Sequence, residues 1–183
     1  WSRGKHYRQT IVTCSRITPE INSAFVRRCS NWQGKIRVIE KATGVVQKVV
    51  GQVQQRFERV VCDSLVELAE ARFQHFQHEV LPKLRSSAQG HTLIFIPSYF
   101  DYVRVRNLFK TENISCVTVA DYTPRDEVSR ARSWFYHGEV PFMLFTERFH
   151  FFHRYKIRGI RNIVFYALPT YEEFYSEMVN MAD

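Results

Sequence analysis

The stretch from His91 to Phe109, HTLIFIPSYFDYVRVRNLF, decides the fold. His91 to Ile96 is a near-continuous apolar run that stops at Pro97, which is the pattern of a strand covered on both faces. Ser98 then stands where a helix N-cap is needed, and Asp101 three residues on resembles a capping box. A buried strand leading straight into a capped helix is half of a βαβ unit.

The same alternation continues toward the carboxyl terminus. Ile114 to Ala120 reads as a strand, and Thr123-Pro124 opens a helix that closes at Gly138. Pro141 to Phe145 and Asn162 to Leu168 read as two more strands, and Thr170 with Glu173 as a capping box for a last helix. The pattern predicts a three-layer α/β fold in which Leu93–Ile96, Val117–Ala120, Met143–Phe145 and Ile163–Tyr166 share one mainly parallel sheet.

Toward the amino terminus the reading is less regular. Gln9 to Cys14 is a short strand candidate. Thr18 caps a helix with Pro19 at its first position and Ile21, Ala24, Phe25 and Cys29 on one face. Ile36 to Ile39 and Val45 to Val50 read as strands around Gly44. Asp63 caps the longest helix pattern, whose stripe of Val66, Ala69, Phe73, Phe76, Val80 and Leu84 has helical spacing and marks a core face. There are no internal repeats. The stretch from Arg37 to Glu58 reads as a connection between two domains.

Hydrophobic residues make up 45% of the 183 residues and charged residues 24%, the mix of a folded domain. The chain starts at Trp1 without a Met, which points to a piece of a longer protein. No apolar run approaches the roughly 18–20 residues that span a bilayer, and no secretory signal is visible. Cys14, Cys29, Cys62 and Cys116 form no CxxC pair and read as buried thiols of a reducing compartment. With 26 Lys+Arg against 18 Asp+Glu the net charge is +8, which fits a nucleic-acid or ribonucleoprotein partner.

Walker A, GxGxxG, HExxH and GxSxG are all missing from the chain. His150 and His153 lie three apart with no Cys or carboxylate cluster to complete a zinc set, and His137 reads as a cation near a helix C-terminus. TERFHFFHRYKIRGIRN, Thr146 to Asn162, is different. It interleaves Arg148, Arg154, Lys156, Arg158 and Arg161 with Phe149, Phe151, Phe152 and Tyr155, and His150 lies among them. Cations neutralise phosphates and aromatic faces stack on bases, so this stretch is the candidate contact for RNA or for a protein partner. It follows a strand's carboxyl end, where open α/β sheets bind ligands.

Several strings resemble helicase motifs. Leu93 to Phe109 is similar to motif IV and its helix, Tyr122 to Glu147 to the segment ending in motif V, and Asn162 to Tyr175 to the strand before motif VI. Arg8 to Ile21 is similar to the end of a first RecA-like domain at motif III. More specifically, IPSYFDYVRVRN, SRARSWF, TERFHFFHRYKIRGIRN and FYSEMVNM resemble the digestive-organ expansion factor family, helicase-like relatives of DEAD-box proteins in the small-subunit processome.

That resemblance implies a RecA-like αβα fold. Residues 1–34 would then be the last strand and helix of a first RecA-like domain, residues 35–62 the connection and first strands, and residues 63–183 the second domain. It implies a nucleolar, non-catalytic role in small-subunit ribosomal RNA maturation. The partners it implies are pre-ribosomal RNA, small nucleolar ribonucleoprotein and other processome proteins, with no cofactor, metal, membrane or small-molecule substrate. The motif positions depart from those of a working helicase. Cys14-Ser15-Arg16 replaces Ser-Ala-Thr, and Thr146-Glu147 stands for Thr-Asp. Glu177-Met178-Val179-Asn180-Met181 stands for His-Arg-x-Gly-Arg. The competing reading is an active RNA-dependent ATPase whose first domain lies outside this chain. A flavodoxin-like enzyme lacks any phosphate loop here.

Overall fold

The computed structural model describes residues 7–14, 17–29, 33–38, 44–86 and 90–182. The chain divides into two compact units, Trp1–Ala42 and Thr43–Asp183. In the first, α1 spans Pro19–Arg28 with Thr18 as its cap, its side chain accepting from Ile21 N at 3.3 Å. Two expected strands are not formed there. Residues 9–14 are irregular with Ile11 and Val12 exposed, and Ile36 and Val38 are exposed as well; Ile39 lies outside the described residues. A strand is stable only beside a partner, and no ladder forms in this unit among the described residues.

The second unit is built on β1 (Thr92–Ile96), β2 (Cys116–Val119), β3 (Phe142–Thr146) and β4 (Asn162–Phe165). They form one sheet in the order β2-β3-β1-β4, and every pairing is parallel. The four predicted strands do share one parallel sheet. Side chains alternate across it. Leu93 and Phe95 face one core with Met143 and Phe145, and Ile94 and Ile96 face the other with Leu144. β1 is central and wholly buried, hence its unbroken apolar run.

Helices cover both faces. α5 (Arg125–Tyr136), α6 (Glu147–His153) and α7 (Glu173–Val179) bring Val128, Phe135, Phe149, Phe174 and Met178 to the first core. The second core takes Phe76 and Leu81 from the run of α2 (Leu68–His75) and α3 (Leu81–Ser86), and Tyr102, Val105 and Phe109 from α4 (Tyr99–Thr111). Each such buried side chain contributes about 1.5–3 kcal/mol.

Several expected boundaries shift. Val45–Lys48 is a 3₁₀ turn and not a strand. The long helix starts at Leu68 and not at Asp63; Val66 and Ala69 are exposed, and the core stripe begins at Phe73. Between α2 and α3 the turn Phe76–Val80 widens to π geometry just before Pro82. A proline ring collides with the carbonyl one turn back in a regular helix, and a wider turn relieves that collision. Ser98 caps α4 as read, but the Asp101 carboxylate turns to Arg72 at 3.5 Å, so the box is not reciprocal. Thr123 does not cap α5; its hydroxyl accepts from Ala120 N at 3.0 Å. The thiols are less buried than expected. All four are free, Cys14 is exposed and the others half-buried. Burial still pushes the Cys116 thiol up to about 11.

The segment ahead of α2 is tied to α7. Asn180 Nδ2 donates to Lys48 O at 2.9 Å, its Oδ1 accepts from Val50 N at 2.8 Å, and Tyr175 O–H donates to Gln55 at 2.6 Å. Among the described residues, no helix is long and apolar enough to cross a membrane.

Candidate interaction surface

The basic-aromatic stretch begins as a short helix. Thr146 ends β3 in extended conformation, and its hydroxyl accepts from Phe149 N at 3.2 Å, which caps α6. Helical spacing then sorts the side chains. Glu147 and His150 turn inward with Phe149, and Arg148, Phe151 and Phe152 turn out. Phe149 is 2% exposed and His150 1% exposed. Both were expected at the contact surface, and both are core residues with no face open to a base.

Two buried polar side chains need partners, and α7 with the loop before it supplies them. Glu147 Oε2 accepts from Thr170 N at 2.9 Å, and Thr170 does not cap α7; the cap position is Glu172, whose side chain makes no capping hydrogen bond. His150 Nε2 donates to Glu177 Oε2 at 2.7 Å, and Arg154 binds both oxygens of the same carboxylate. The Arg154 guanidinium also lies 4.4 Å over the Phe174 ring. Arg154 itself adopts the left-handed conformation that ends α6.

The electrostatics follow from burial and pairing. Burial holds His150 below the usual imidazole range despite Glu177 beside it. The geometry agrees: His150 Nδ1 is buried without a partner among the described residues, so a second ring proton would have no acceptor. Burial works to raise the Glu177 carboxyl. Hydrogen bonds from Arg154 and His150 outweigh it and hold the group below its ordinary range.

The five cations do not form one surface. Arg148 lies at the carboxyl end of the sheet, where its Nε donates to Asp121 at 2.9 Å. Arg154 is bound to Glu177. The chain then runs back along the flank, where Arg132 donates to Lys156 O at 3.2 Å and lies over the half-buried Tyr155. Arg161 N donates to His91 O at 3.1 Å, and Asn162 pairs with Thr92 at the amino end of β1. Arg158 and Arg161 therefore sit at the opposite end of the sheet from Arg148, away from the expected carboxyl end. Lys156, Arg158 and Arg161 are exposed, and none has an ion pair among the described residues. Asp121 and Arg132 were not legible as parts of this surface, because only the neighbouring of β2 and β3 and the packing of α5 bring them in.

Of the remaining motif positions, Cys14 is exposed, and Ser15 and Arg16 lie outside the described residues. Met178 is fully buried in the first core and so faces no ligand, and the half-buried Met181 packs against it. No cluster of three or more metal-ligating side chains exists among the described residues.

The fold and this surface define a parallel three-layer α/β domain in which Arg148 and Arg154 of the basic-aromatic stretch are paired with Asp121 and Glu177. Residues 45–183 match the Utp25 C-terminal domain family, and the chain belongs to that family. This is the family read from the strings between Ile96 and Met181. The chain is 49% identical over 97% of its length to the U3 small nucleolar RNA-associated protein 25 homolog of Xenopus tropicalis. It is 47% identical over 99% of its length to that of Homo sapiens, and 43% identical over 98% to Protein NUCLEOLAR FACTOR 1 of Arabidopsis thaliana. It spans 23% of the Xenopus protein and 24% of each of the other two, about a quarter of their length. Among solved structures it is similar to the Pyrococcus furiosus Hef helicase domain, at TM-score 0.47 and 12% identity, over 61% of this chain and 23% of that one. A likeness of that size carries no inference about activity.

Proposed function

We propose that this domain is a non-catalytic part of a nucleolar factor of the small-subunit processome, acting in pre-ribosomal RNA processing through RNA and protein contacts. The relatives' names, with their U3 small nucleolar RNA association and nucleolar location, support the setting. On the same reading residues 1–34 close a preceding RecA-like domain and residues 63–183 form the second.

One observation carries the non-catalytic part. Where a working helicase places motif VI cations, this chain has Glu177, already bound by Arg154 and His150, and the core residue Met178. An arginine finger lowers the phosphoryl-transfer barrier by on the order of 4–7 kcal/mol. A carboxylate there repels phosphate, and a buried thioether has no charge or donor to offer. No Lys or Arg follows Arg161 in the chain.

The test is RNA-stimulated ATP turnover by the full-length protein. Turnover at the level of the protein-free control is expected. Turnover well above it that vanishes on replacing Arg158 or Arg161 would establish an active ATPase instead.

A further inference from the structure

The passage from α6 to β4 crosses the last turn of α5 near the amino end of the sheet, and three left-handed backbones meet there. His91 has φ +58°, and Gly138 and Gly159 each have φ +76°. A Cβ on Gly138 would lie 3.2 Å from His91 Nε2. One on Gly159 would lie 3.7 Å from His91 Nδ1 and 3.1 Å from Tyr136 Cδ2. Arg161 N donates to His91 O at 3.1 Å, and Arg132, one turn before Tyr136, donates to Lys156 O at 3.2 Å. A residue with a side chain keeps a left-handed backbone only where its surroundings fix it. These contacts fix the backbone of Lys156, Arg158 and Arg161 beside Tyr136.

Charge and shape then select the ligand. Lys156, Arg158 and Arg161 are exposed and without an ion pair among the described residues, and Arg132 has no ion pair there either. Against these charges stands Glu139, an exposed carboxylate that follows Gly138. Beside the cations, Tyr136 is 53% exposed. Cations neutralise phosphates, and an exposed ring offers a stacking face to any unpaired base. A duplex keeps its bases away from such a ring, and an acidic peptide would engage the cations and leave the ring unused.

We infer that this junction holds a single-stranded RNA segment, with a base stacked on Tyr136 and neighbouring phosphates on Lys156, Arg158 and Arg161. The inference rests on the proposed function only for the choice of RNA as the polymer.

The experiment irradiates the full-length protein with a short oligouridine strand carrying 4-thiouridine and maps the adducts by mass spectrometry. An adduct on residues 155–161 is expected, and the readout is the strand concentration that gives half its maximal yield. Tyr136→Leu, which keeps an apolar side chain on Gly159 but no ring, should raise that concentration about tenfold. Tyr136→Phe, which keeps the ring, should leave it unchanged. Lys156→Gln with Arg158→Gln, both exposed, should also raise it, and this pair carries the test if the Leu variant melts early. Arg148→Gln, at the other end of the sheet, should not raise it. Adducts confined to other parts of the chain, equal effects of Leu and Phe at position 136, or an equal effect of Arg148→Gln would overturn the proposal. Displacement by polyglutamate as effective as by unlabelled oligouridine would overturn it too, in favour of an acidic protein segment. ATP turnover above the protein-free control would remove the non-catalytic reading and leave this contact standing.

Discussion

At the residue scale, His150 and Glu177 make acid the weak side of this domain. His150 is held low by burial, so in mild acid the unfolded chain takes up a proton that the folded one refuses. Glu177 is also held low, so protonating it costs the native state its two partners. Both groups bind more protons when unfolded, so stability falls as pH falls: first below the ordinary imidazole range, then below the carboxylate range. The melting temperature should therefore drop between about pH 7.5 and about pH 5.5, and His150→Gln should flatten that slope. An equal slope in wild type and variant would place the acid sensitivity elsewhere. Neither residue was legible as a pair, because 27 positions separate them. His150 looked like a contact residue by its cationic neighbours, and only the helical turn sends it inward.

At the element scale, the passage from α6 back to β4 depends on a close approach at Gly159. Its φ is +76°, and an added Cβ would meet Tyr136 Cδ2 at 3.1 Å. Gly159→Ala should cost about 1–3 kcal/mol from left-handed strain with crowding of the ring. Chemical denaturation measures it, and adding Tyr136→Ala should return only the crowding part. A loss below about 0.5 kcal/mol would mean that this loop adapts freely. Thr146→Ala tests the other end of the segment, where loss of the α6 cap should cost about 0.5–2 kcal/mol. The Thr146 cap was missed because Thr146 to Asn162 was read for its interleaved charges and rings, with no helix assigned to it. The Ser98 cap was legible because a buried strand precedes it and a long amphipathic helix follows.

At the scale of the whole molecule, the position of a cation decides whether it is available. Lys156, Arg158 and Arg161 are unpaired among the described residues, whereas Arg148 is neutralised by Asp121. Replacing the first three with Glu should weaken single-stranded RNA binding by the full-length protein. It should also make the slope of log affinity against log salt shallower by roughly 2. Arg148→Glu should leave that slope nearly unchanged. The variants are exposed and should fold, which circular dichroism checks. Equal effects of Arg148 and the other three would mean that one surface serves them all.

What the sequence by itself determined is the alternation of buried strands with covering helices, the caps Thr18 and Ser98, and the family. These are local: a strand buried on both faces must be apolar throughout, and a helix end needs a side-chain acceptor wherever it lies. What only the tertiary structure decided is the company each charge keeps. β2 lies beside β3, which brings Asp121 to Arg148. β4 pairs with β1, which draws Arg158 and Arg161 to the far end of the sheet. The packing of α7 against α6 gives Arg154 a carboxylate to bind. A basic run in sequence becomes a basic surface only if strand order leaves its charges together and unpaired, and strand order is a property of the whole sheet.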